Sequence, residues 1–343
     1  MYGAYPDLDD HVLIVSRDNP RLGFTAFIAI HNEARGPAMG GCRIVPYATV
    51  AEAVTDVLRL SKGMSYKNAI ANIPYGGGKA VIIADPGRAD KKAVLHEMGD
   101  FVRSLEGRYI TSFDSGTTLD DVKTIGERTT FTAGTLAEAG NASQTTARGV
   151  YHCMRTAAEL RFGAVGLSGL RVAIQGVGNV GGRLAHLLAA DGADLIVADT
   201  DRRIADQLAE DLGATVGSVD DILASDVDII APCALGAILN NNSIPNIRAK
   251  AVVGGANNQL AHPEDDLRLK ERGILYCPDY VANGGGIIDL HYQRSGWSPE
   301  AVEQHILTLA DTFREVAARA REQDRGTGAV ADDIALERLS PAS

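Results

Sequence analysis

Between Arg171 and Asp199 the chain runs strand, glycine turn, helix, strand, acid, an order that few folds accommodate. Arg171-Val172-Ala173-Ile174-Gln175 reads as a short buried strand, and Gly176-Val177-Gly178-Asn179-Val180-Gly181 follows at once. Leu184, Leu187 and Leu188 then recur at helical spacing, and a second apolar strand, Leu195-Ile196-Val197-Ala198, ends in Asp199. This is the dinucleotide-binding pattern in its structural setting. The glycines let a pyrophosphate reach the helix N-terminus, where free N–H groups and the helix dipole favour an anion. Asp199, eighteen residues beyond Gly181, is placed to accept hydrogen bonds from the adenosine ribose hydroxyls. Gly176, Gly178, Asn179, Val180, Gly181 and Asp199 are therefore the expected cofactor-binding set. Arg202 and Arg203 follow closely, but Asp199 would repel a 2′-phosphate, so the expected cofactor is NAD.

A second signal lies about a hundred residues earlier, in Gly63-Met64-Ser65-Tyr66-Lys67-Asn68-Ala69 and Gly76-Gly77-Gly78-Lys79-Ala80-Val81-Ile82-Ile83. Two lysines stand twelve residues apart, the second at the end of a glycine run that opens into an apolar strand. Glycine lets backbone and ligand approach closely. A lysine held in such a place beside another cation has its ammonium form disfavoured and serves as a general base near neutral pH. A Walker phosphate loop would need glycine at Ile73 and Ser or Thr at Ala80, and both are absent.

At 343 residues the chain is long enough for two domains with substantial cores. A formal charge of −11 argues against nucleic acid or an anionic membrane surface as partner. The stretch from Met1 to Asp7 lacks a basic region and an apolar core, so no secretory signal is expected. The longest apolar run, Ile229 to Leu239, is too short to span a bilayer. Cys42, Cys153, Cys233 and Cys277 are scattered with no CxxC pair, as for reduced thiols in a cytoplasmic protein, and no His or Cys cluster has metal-ligand spacing.

The first part alternates strand and helix. Phe24, Ala26, Ile28 and Ile30 alternate with their neighbours in a strand ending at His31. Thr49 and Glu52 form a capping-box pattern for a helix that carries Val50, Val54, Val57 and Leu58 to about Lys62, with Gly63 ending it. A helix from about Lys91 to Leu105 leads to the strand-like Gly107-Arg108-Tyr109-Ile110-Thr111, and Asp114 lies just past its end. The small and polar residues from Leu136 to Ser143 suit a domain connection, followed by a helix from about Thr146 to Leu160. Later strands are expected at 228–231, 251–254 and 274–277, each followed by a polar or glycine-rich segment holding Cys233 and Ala234, Asn257, or Asn283. Such strand ends would line the nicotinamide side of the crevice. The pattern is helical from Ser298 to Gln323, and the tail beyond it is polar.

Taken together, these motifs resemble the amino-acid dehydrogenase family that includes the leucine, valine, phenylalanine, tryptophan and glutamate dehydrogenases. The likeness runs through Gly36-Pro37-Ala38-Met39-Gly40-Gly41-Cys42-Arg43, the Lys67 and Lys79 segments, and Tyr109-Ile110-Thr111-Ser112-Phe113-Asp114. It continues in Ala231-Pro232-Cys233-Ala234-Leu235-Gly236, Gly255-Ala256-Asn257-Asn258-Gln259-Leu260 and Tyr280-Val281-Ala282-Asn283. The resemblance implies an α/β fold with an N-terminal catalytic and oligomerisation domain over 1–137. A Rossmann-type NAD-binding domain over 138–321 would follow, with a cleft between the two and a C-terminal segment, about 322–343, returning to the first. It also implies a homo-oligomer, dimer or octamer.

By the same resemblance, Lys67 would bind the substrate α-carboxylate, Lys79 would be the catalytic base acting through a water, and Asp114 would shuttle protons. Gly40 and Gly41 would border the substrate, and Thr146, Asn257 and Asn283 would position nicotinamide and substrate. Met39, Ser112, Ile287 and Leu290 would line the side-chain pocket. Glutamate dehydrogenases carry a lysine at the position of Met39, so a thioether there speaks for a hydrophobic amino acid. Ile287 and Leu290 narrow the pocket toward branched aliphatic chains; a phenylalanine or tryptophan dehydrogenase is the alternative. The residue types fit the chemistry, since oxidising an amino acid to an iminium ion and hydrolysing it needs a base, a proton shuttle and a fixed cation for the carboxylate.

The chain departs from the family pattern at Phe113 and Ser115, beside the pocket, and at Gly284, where alanine is usual and a more mobile loop is expected. A hydroxy-acid dehydrogenase would want a catalytic His with an Arg, and His31, His152 and His291 lack that setting. An NAD-binding regulatory protein without turnover would have no use for Lys67, Lys79 and Asp114 together.

Overall fold

The computed structural model describes residues 7–136, 142–234 and 236–340. Residues 137–141 of the expected connection, Met1–Pro6 at the start, and Leu235 lie outside the described residues. The chain divides into two compact units: Met1–Ala139 with Leu290–Trp297 and Ala335–Ser343, and Gly140–Asp289 with Ser298–Ile334. The sequence placed the returning segment from about residue 322. In the structure residues up to Ile334 group with the second unit, and Leu290–Trp297 group with the first.

The first unit is built on five strands, β1 (Leu13–Asn19), β2 (Phe24–Asn32), β3 (Ala38–Val45), β4 (Gly76–Ile83) and β5 (Tyr109–Phe113), in the order β1-β2-β4-β3-β5. β1 and β2 are antiparallel, as are β2 and β4, while β3 runs parallel to both β4 and β5. Helix α1 (Val50–Ile70) covers one face, and α2 (Lys91–Arg103) and α3 (Leu119–Gly126) follow later in the chain. The alternation read in β2 is the alternation of two cores. Phe24, Ala26, Ile28 and Ile30 join Ala80, Ile82, Val94, Met98 and Tyr109, whereas Ala29 joins Val54, Val57, Leu58 and Val81 under α1.

Two expectations about this region need correction. Helix α1 does not stop at Gly63; it runs to Ile70, so Lys67 is helical. Gly63 meets no neighbour and costs only propensity, while Ser61, Ser65, Asn68, Ala69 and Ile70 are all buried, so packing outweighs one glycine. The glycine run does not precede the strand but forms its first three residues. A methyl group on Gly77 would lie 2.0 Å from the Ser65 backbone nitrogen, so the absence of side chains is what lets α1 rest directly on β4. Thr49 does cap α1, accepting from the Glu52 N–H, while the Glu52 carboxylate reaches the Ala48 N–H.

The second unit contains β6 (Arg171–Gln175), β7 (Asp194–Ala198), β8 (Thr215–Val216), β9 (Ile229–Pro232), β10 (Ala251–Val252) and β11 (Leu275–Tyr276). The sheet order is β11-β10-β9-β6-β7-β8, with all pairs parallel. Counted from β6 this is 3-2-1-4-5-6, the doubly wound dinucleotide-binding order. Its helices are α4 (Ala142–Phe162), α5 (Gly181–Ala190), α6 (Arg202–Leu212), α7 (Glu264–Glu271), α8 (Asp279–Ala282), α9 (Gly285–Ser295), α10 (Pro299–Glu322) and α11 (Thr327–Leu339). The division between units falls within α9 and again within α11. The segment from Asn283 to Gly286 is a loop only at Asn283 and Gly284, a turn after α8; Gly285 opens α9, and a methyl there would lie 2.0 Å from the Thr145 carbonyl oxygen. The polar tail is also a helix: α11 buries Val330, Ala331, Ile334, Ala335 and Leu339. Among the described residues no helix is long and apolar enough to cross a membrane.

Candidate active site

Three parallel strands of the first unit bring the chemistry together. The register pairs Met39 with Gly77 and with Ile110, and Gly41 with Ser112. Side chains alternate along a strand, so Met39, Lys79, Ser112 and Asp114 share the α1 side of the sheet. Lys79 is 5% exposed and forms an ion pair with Asp114. Burial, then the nearby Arg43 and Lys67 cations, bring its ammonium down to about 7. A lysine so placed exchanges a proton near neutral pH, which a solvated lysine cannot do.

Asp114 is held from several directions. Its Oδ1 accepts from Arg43 Nη2 at 3.3 Å and from the Ser115 N–H, and its own N–H donates to Thr117 Oγ1 at 2.8 Å. Thr117 Oγ1 in turn donates to the Cys42 carbonyl at 2.8 Å, tying the turn to β3. Arg43 donates from Nη1 to Asp56 at 2.9 Å and so spans two carboxylates. Lys67 lies on α1 near enough to Lys79 to depress its protonation. Asn68, fully buried, donates to the Gly76 carbonyl at 2.6 Å and the Met39 carbonyl at 3.2 Å, which fixes this end of the helix over β3 and β4.

The remaining expected residues of this unit fall around the same face. A methyl on Gly41 would lie 2.8 Å from Asp114 Cβ, so Gly41 abuts the carboxylate, while Gly40 packs on the Gly78 carbonyl and Met64. Ser112 and Leu290 converge on Gly134, whose missing Cβ would sit 3.2 Å from Ser112 Oγ and 3.0 Å from Leu290 Cδ2. The Ser112 hydroxyl is buried with no hydrogen-bond partner among the described residues. Met39 is fully buried; Ile287, one turn before Leu290 on α9, groups with the second unit and is not brought to this face by the first. Phe113 ends β5, with Cδ1 3.6 Å from the same Gly134 position.

Sequence reasoning gave no role to Arg43, Asn68 or Tyr109. The Tyr109 hydroxyl donates to the Gly40 carbonyl at 2.9 Å and the Gly41 carbonyl at 3.1 Å, fixing the glycine pair from the opposite core. For Arg43 the signal was available: a cation two residues beyond Gly41 on one strand must share its face. The Cys42 thiol is pushed up to about 12 by burial, and that of Cys233 to about 11, so neither is a nucleophile at neutral pH.

In the second unit the glycine turn follows β6. Gly176 has φ +86°, and a methyl on it would lie 2.5 Å from Ala234 Cβ. A methyl on Gly181 would lie 1.9 Å from the Gly176 carbonyl oxygen. Gly178 meets nothing, and it and Asn179 are exposed at the outer edge of the turn. Two glycines thus close the turn and the third leaves an open cradle before α5, as a pyrophosphate requires. Asp199 caps β7; its Oδ2 accepts from the Val177 N–H at 2.8 Å and its Oδ1 from the Asp201 N–H at 2.9 Å. Arg202 pairs with Asp206 at 2.7 Å and Arg203 with Asp201 at 2.8 Å.

Cys233 follows β9 and donates its N–H to the Gln175 carbonyl at 2.8 Å, which sets Cys233 and Ala234 beside the turn. Val180 approaches Gly255, whose added methyl would lie 2.7 Å from Val180 Cγ1. Asn283 donates from Nδ2 to Asn257 Oδ1 at 2.9 Å and the Gly255 carbonyl at 3.3 Å, and its buried Oδ1 has no partner among the described residues. Thr146 Oγ1 donates to the Ala142 carbonyl at 2.7 Å and stands against Gly286. The second unit thus presents an open glycine turn and an acid at strand ends, and after α8 an amide with a spare acceptor. Among the described residues no three His, Cys, Asp or Glu side chains gather as metal ligands would.

Comparison with known proteins bears on what this geometry serves. Residues 11–131 match the family described as the Glu/Leu/Phe/Val dehydrogenase dimerisation domain, and residues 198–343 match the glutamate/leucine/phenylalanine/valine dehydrogenase domain. The chain is 40% identical over 339 residues to a leucine dehydrogenase of Bacillus cereus, covering 98% of this chain and 93% of the relative. It is 42% identical over 344 residues to a valine dehydrogenase of Streptomyces virginiae, covering 98% and 96%. The L-tryptophan dehydrogenase of Nostoc punctiforme superposes with a TM-score of 0.86 at 40% identity, covering 96% of each chain. With its doubly wound nucleotide fold and likeness along nearly its whole length, the chain belongs to the Glu/Leu/Phe/Val dehydrogenase family and is an amino-acid dehydrogenase.

Proposed function

We propose that this enzyme catalyses the reversible NAD-dependent oxidative deamination of a hydrophobic L-amino acid, with branched aliphatic chains preferred. The observation that carries the reading is the buried Lys79–Asp114 pair, with Lys79 brought to about 7 and Lys67 close by. Lys67 holds the α-carboxylate. A bound dinucleotide would supply the acceptor for the hydride that leaves Cα. Lys79 takes a proton from the water that attacks the resulting iminium carbon, and Asp114 relays that proton to the nitrogen. Lys79 then takes the carbinol hydroxyl proton as the C–N bond breaks, and ammonia leaves with the 2-oxo acid.

Gly176, Gly178 and Gly181 would hold the pyrophosphate at the head of α5. Asn179 and Val180 lie in the same turn, and Asp199 would accept from the ribose hydroxyls. Cys233, Ala234, Thr146 and Asn257 would flank the nicotinamide, and Asn283 would offer Oδ1 to nicotinamide or substrate. Arg202 and Arg203 are already paired with Asp206 and Asp201, which supports NAD over NADP. Met39, Ser112, Ile287 and Leu290 receive the side chain, Gly40 and Gly41 border the substrate backbone, and the enzyme works as a homo-oligomer.

An aromatic substrate is the second reading, favoured by the likeness to the tryptophan dehydrogenase. Initial rates with leucine, valine, isoleucine, phenylalanine, tryptophan and glutamate, each with NAD⁺ and NADP⁺, test both. The branched-chain substrates with NAD⁺ are expected to give the highest kcat/KM. A higher value for an aromatic substrate would select the second reading, and no turnover with any would overturn both.

A further inference from the structure

Helix α1 is fastened to the sheet by a histidine that takes no part in the proposed chemistry. His31 is 6% exposed, and its Nδ1 lies 2.8 Å from the buried Ser65 Oγ. It sits where the register of β2 slips against β4: Ile30 pairs with Gly78, yet Asn32 pairs with Gly77. An extra residue in one strand bends it and re-aims the side chain, here toward α1. The partner is well chosen for position. The Ser65 nitrogen and hydroxyl lie against Gly77, two residues before Lys79 on β4, and Lys67 follows Ser65 by two residues on α1.

The outer side of His31 is closed by His11, whose ring stands edge-on at 4.9 Å. His11 Nε2 lies 2.9 Å from Ser61 Oγ and 3.2 Å from the Leu58 carbonyl, on the same helix. Burial, then the neighbouring His11 and Lys62, lower His31 to about 4, so the ring is neutral at neutral pH. It therefore acts through its hydrogen bond and its shape. Ser65 and Asn68 are buried against the sheet, and Lys67, between them on the helix, is half-buried and close enough for its charge to be felt at Lys79. A rotation or lift of α1 would therefore move its ammonium relative to Lys79.

We propose that His31, acting through Ser65, is a positioning residue that fixes the rotation and depth of α1 on β4 and so sets where the Lys67 ammonium stands. The proposal rests on Lys67 being the partner of the substrate carboxylate. It predicts a defect confined to amino-acid binding.

The test uses the full-length enzyme with leucine and NAD⁺, in His31→Leu, Ser65→Ala, the double variant, His31→Asn and Lys67→Ala. An asparagine places a polar atom where Nδ1 stood. His31→Leu and Ser65→Ala should each raise the KM for leucine about ten-fold, with kcat and the KM for NAD⁺ changed less than about two-fold. The double variant should be no worse than the worse single one, and His31→Asn should recover most of the loss. Should His31→Leu fail to fold, Ser65→Ala, which removes one oxygen, carries the same prediction with His31→Asn as its companion. An unchanged KM for leucine in folded Ser65→Ala, or losses that simply add in the double variant, would overturn the proposal. If Lys67→Ala itself leaves that KM unchanged, the carboxylate assignment falls and takes the proposal with it. If Lys67→Ala raises it while Ser65→Ala does not, only the positioning role is lost.

Discussion

At the scale of single residues, burial is what separates the two lysines in the proposed mechanism, one as base and the other as fixed charge. Lys79 is enclosed and sits near 7, while half-buried Lys67 contributes to that shift as a cation. Lys79→Ala should therefore lower turnover by about 10²–10⁴-fold, the usual worth of a general base, while dinucleotide binding measured by fluorescence titration stays near normal. Lys67→Ala should act through the KM for the amino acid. Met39 sets a different limit, because a second substrate carboxylate would meet a buried thioether instead of a cation. Leaving that charge unpaired costs about 3 kcal/mol or more, so kcat/KM for glutamate should fall at least about a hundred-fold below that for leucine. Equal values in a direct competition assay would refute this account of the pocket.

At the scale of elements, the glycine strand is the device that makes the site compact. With no side chains at the start of β4, α1 lies on the backbone itself, and Asn68 and Ser65 seal the contact. Gly77→Ala would push a methyl into the Ser65 backbone. It should destabilise the protein by about 1–3 kcal/mol, as overpacking does, measured as a lower urea midpoint at unchanged m value. Unaltered stability would mean that α1 stands off the strand. The nucleotide turn offers a second element-scale test. Asp199→Ser should weaken the preference for NAD over NADP, and it should also loosen the turn through the lost Val177 contact; a ratio of kcat/KM values unchanged from the native enzyme would remove Asp199 from the ribose site.

The turn was legible in the sequence because local chemistry dictates it: glycines, an apolar strand and an acid at fixed spacing. The end of α1 and the whole of α11 were not legible. Gly63 looked like a stop and the tail looked polar, and in both places burial supplied by distant residues overrode local propensity. Tyr109 escaped for a related reason. Its role depends on which strands become neighbours, and β3 lies between β4 and β5 only once the sheet has formed.

At the scale of the whole molecule, the first unit holds the proposed catalytic residues and the second a nucleotide fold, each with its own sheet and core. The formal charge of −11 suits an enzyme whose ligands are small molecules, and the charges proposed to act in turnover are the few that the first sheet buries. The proposed base of this amino-acid dehydrogenase is Lys79, brought to about 7 and ion-paired with Asp114. The pH dependence of kcat/KM for leucine oxidation tests it most directly, in the native enzyme and in Lys79→Ala. The neutral amine is the active form, so the native profile should rise with pH through an apparent value of about 7 and then level. Lys79→Ala should lose that limb along with most of its activity. A variant that kept the limb, or more than about a tenth of the native rate, would contradict the account.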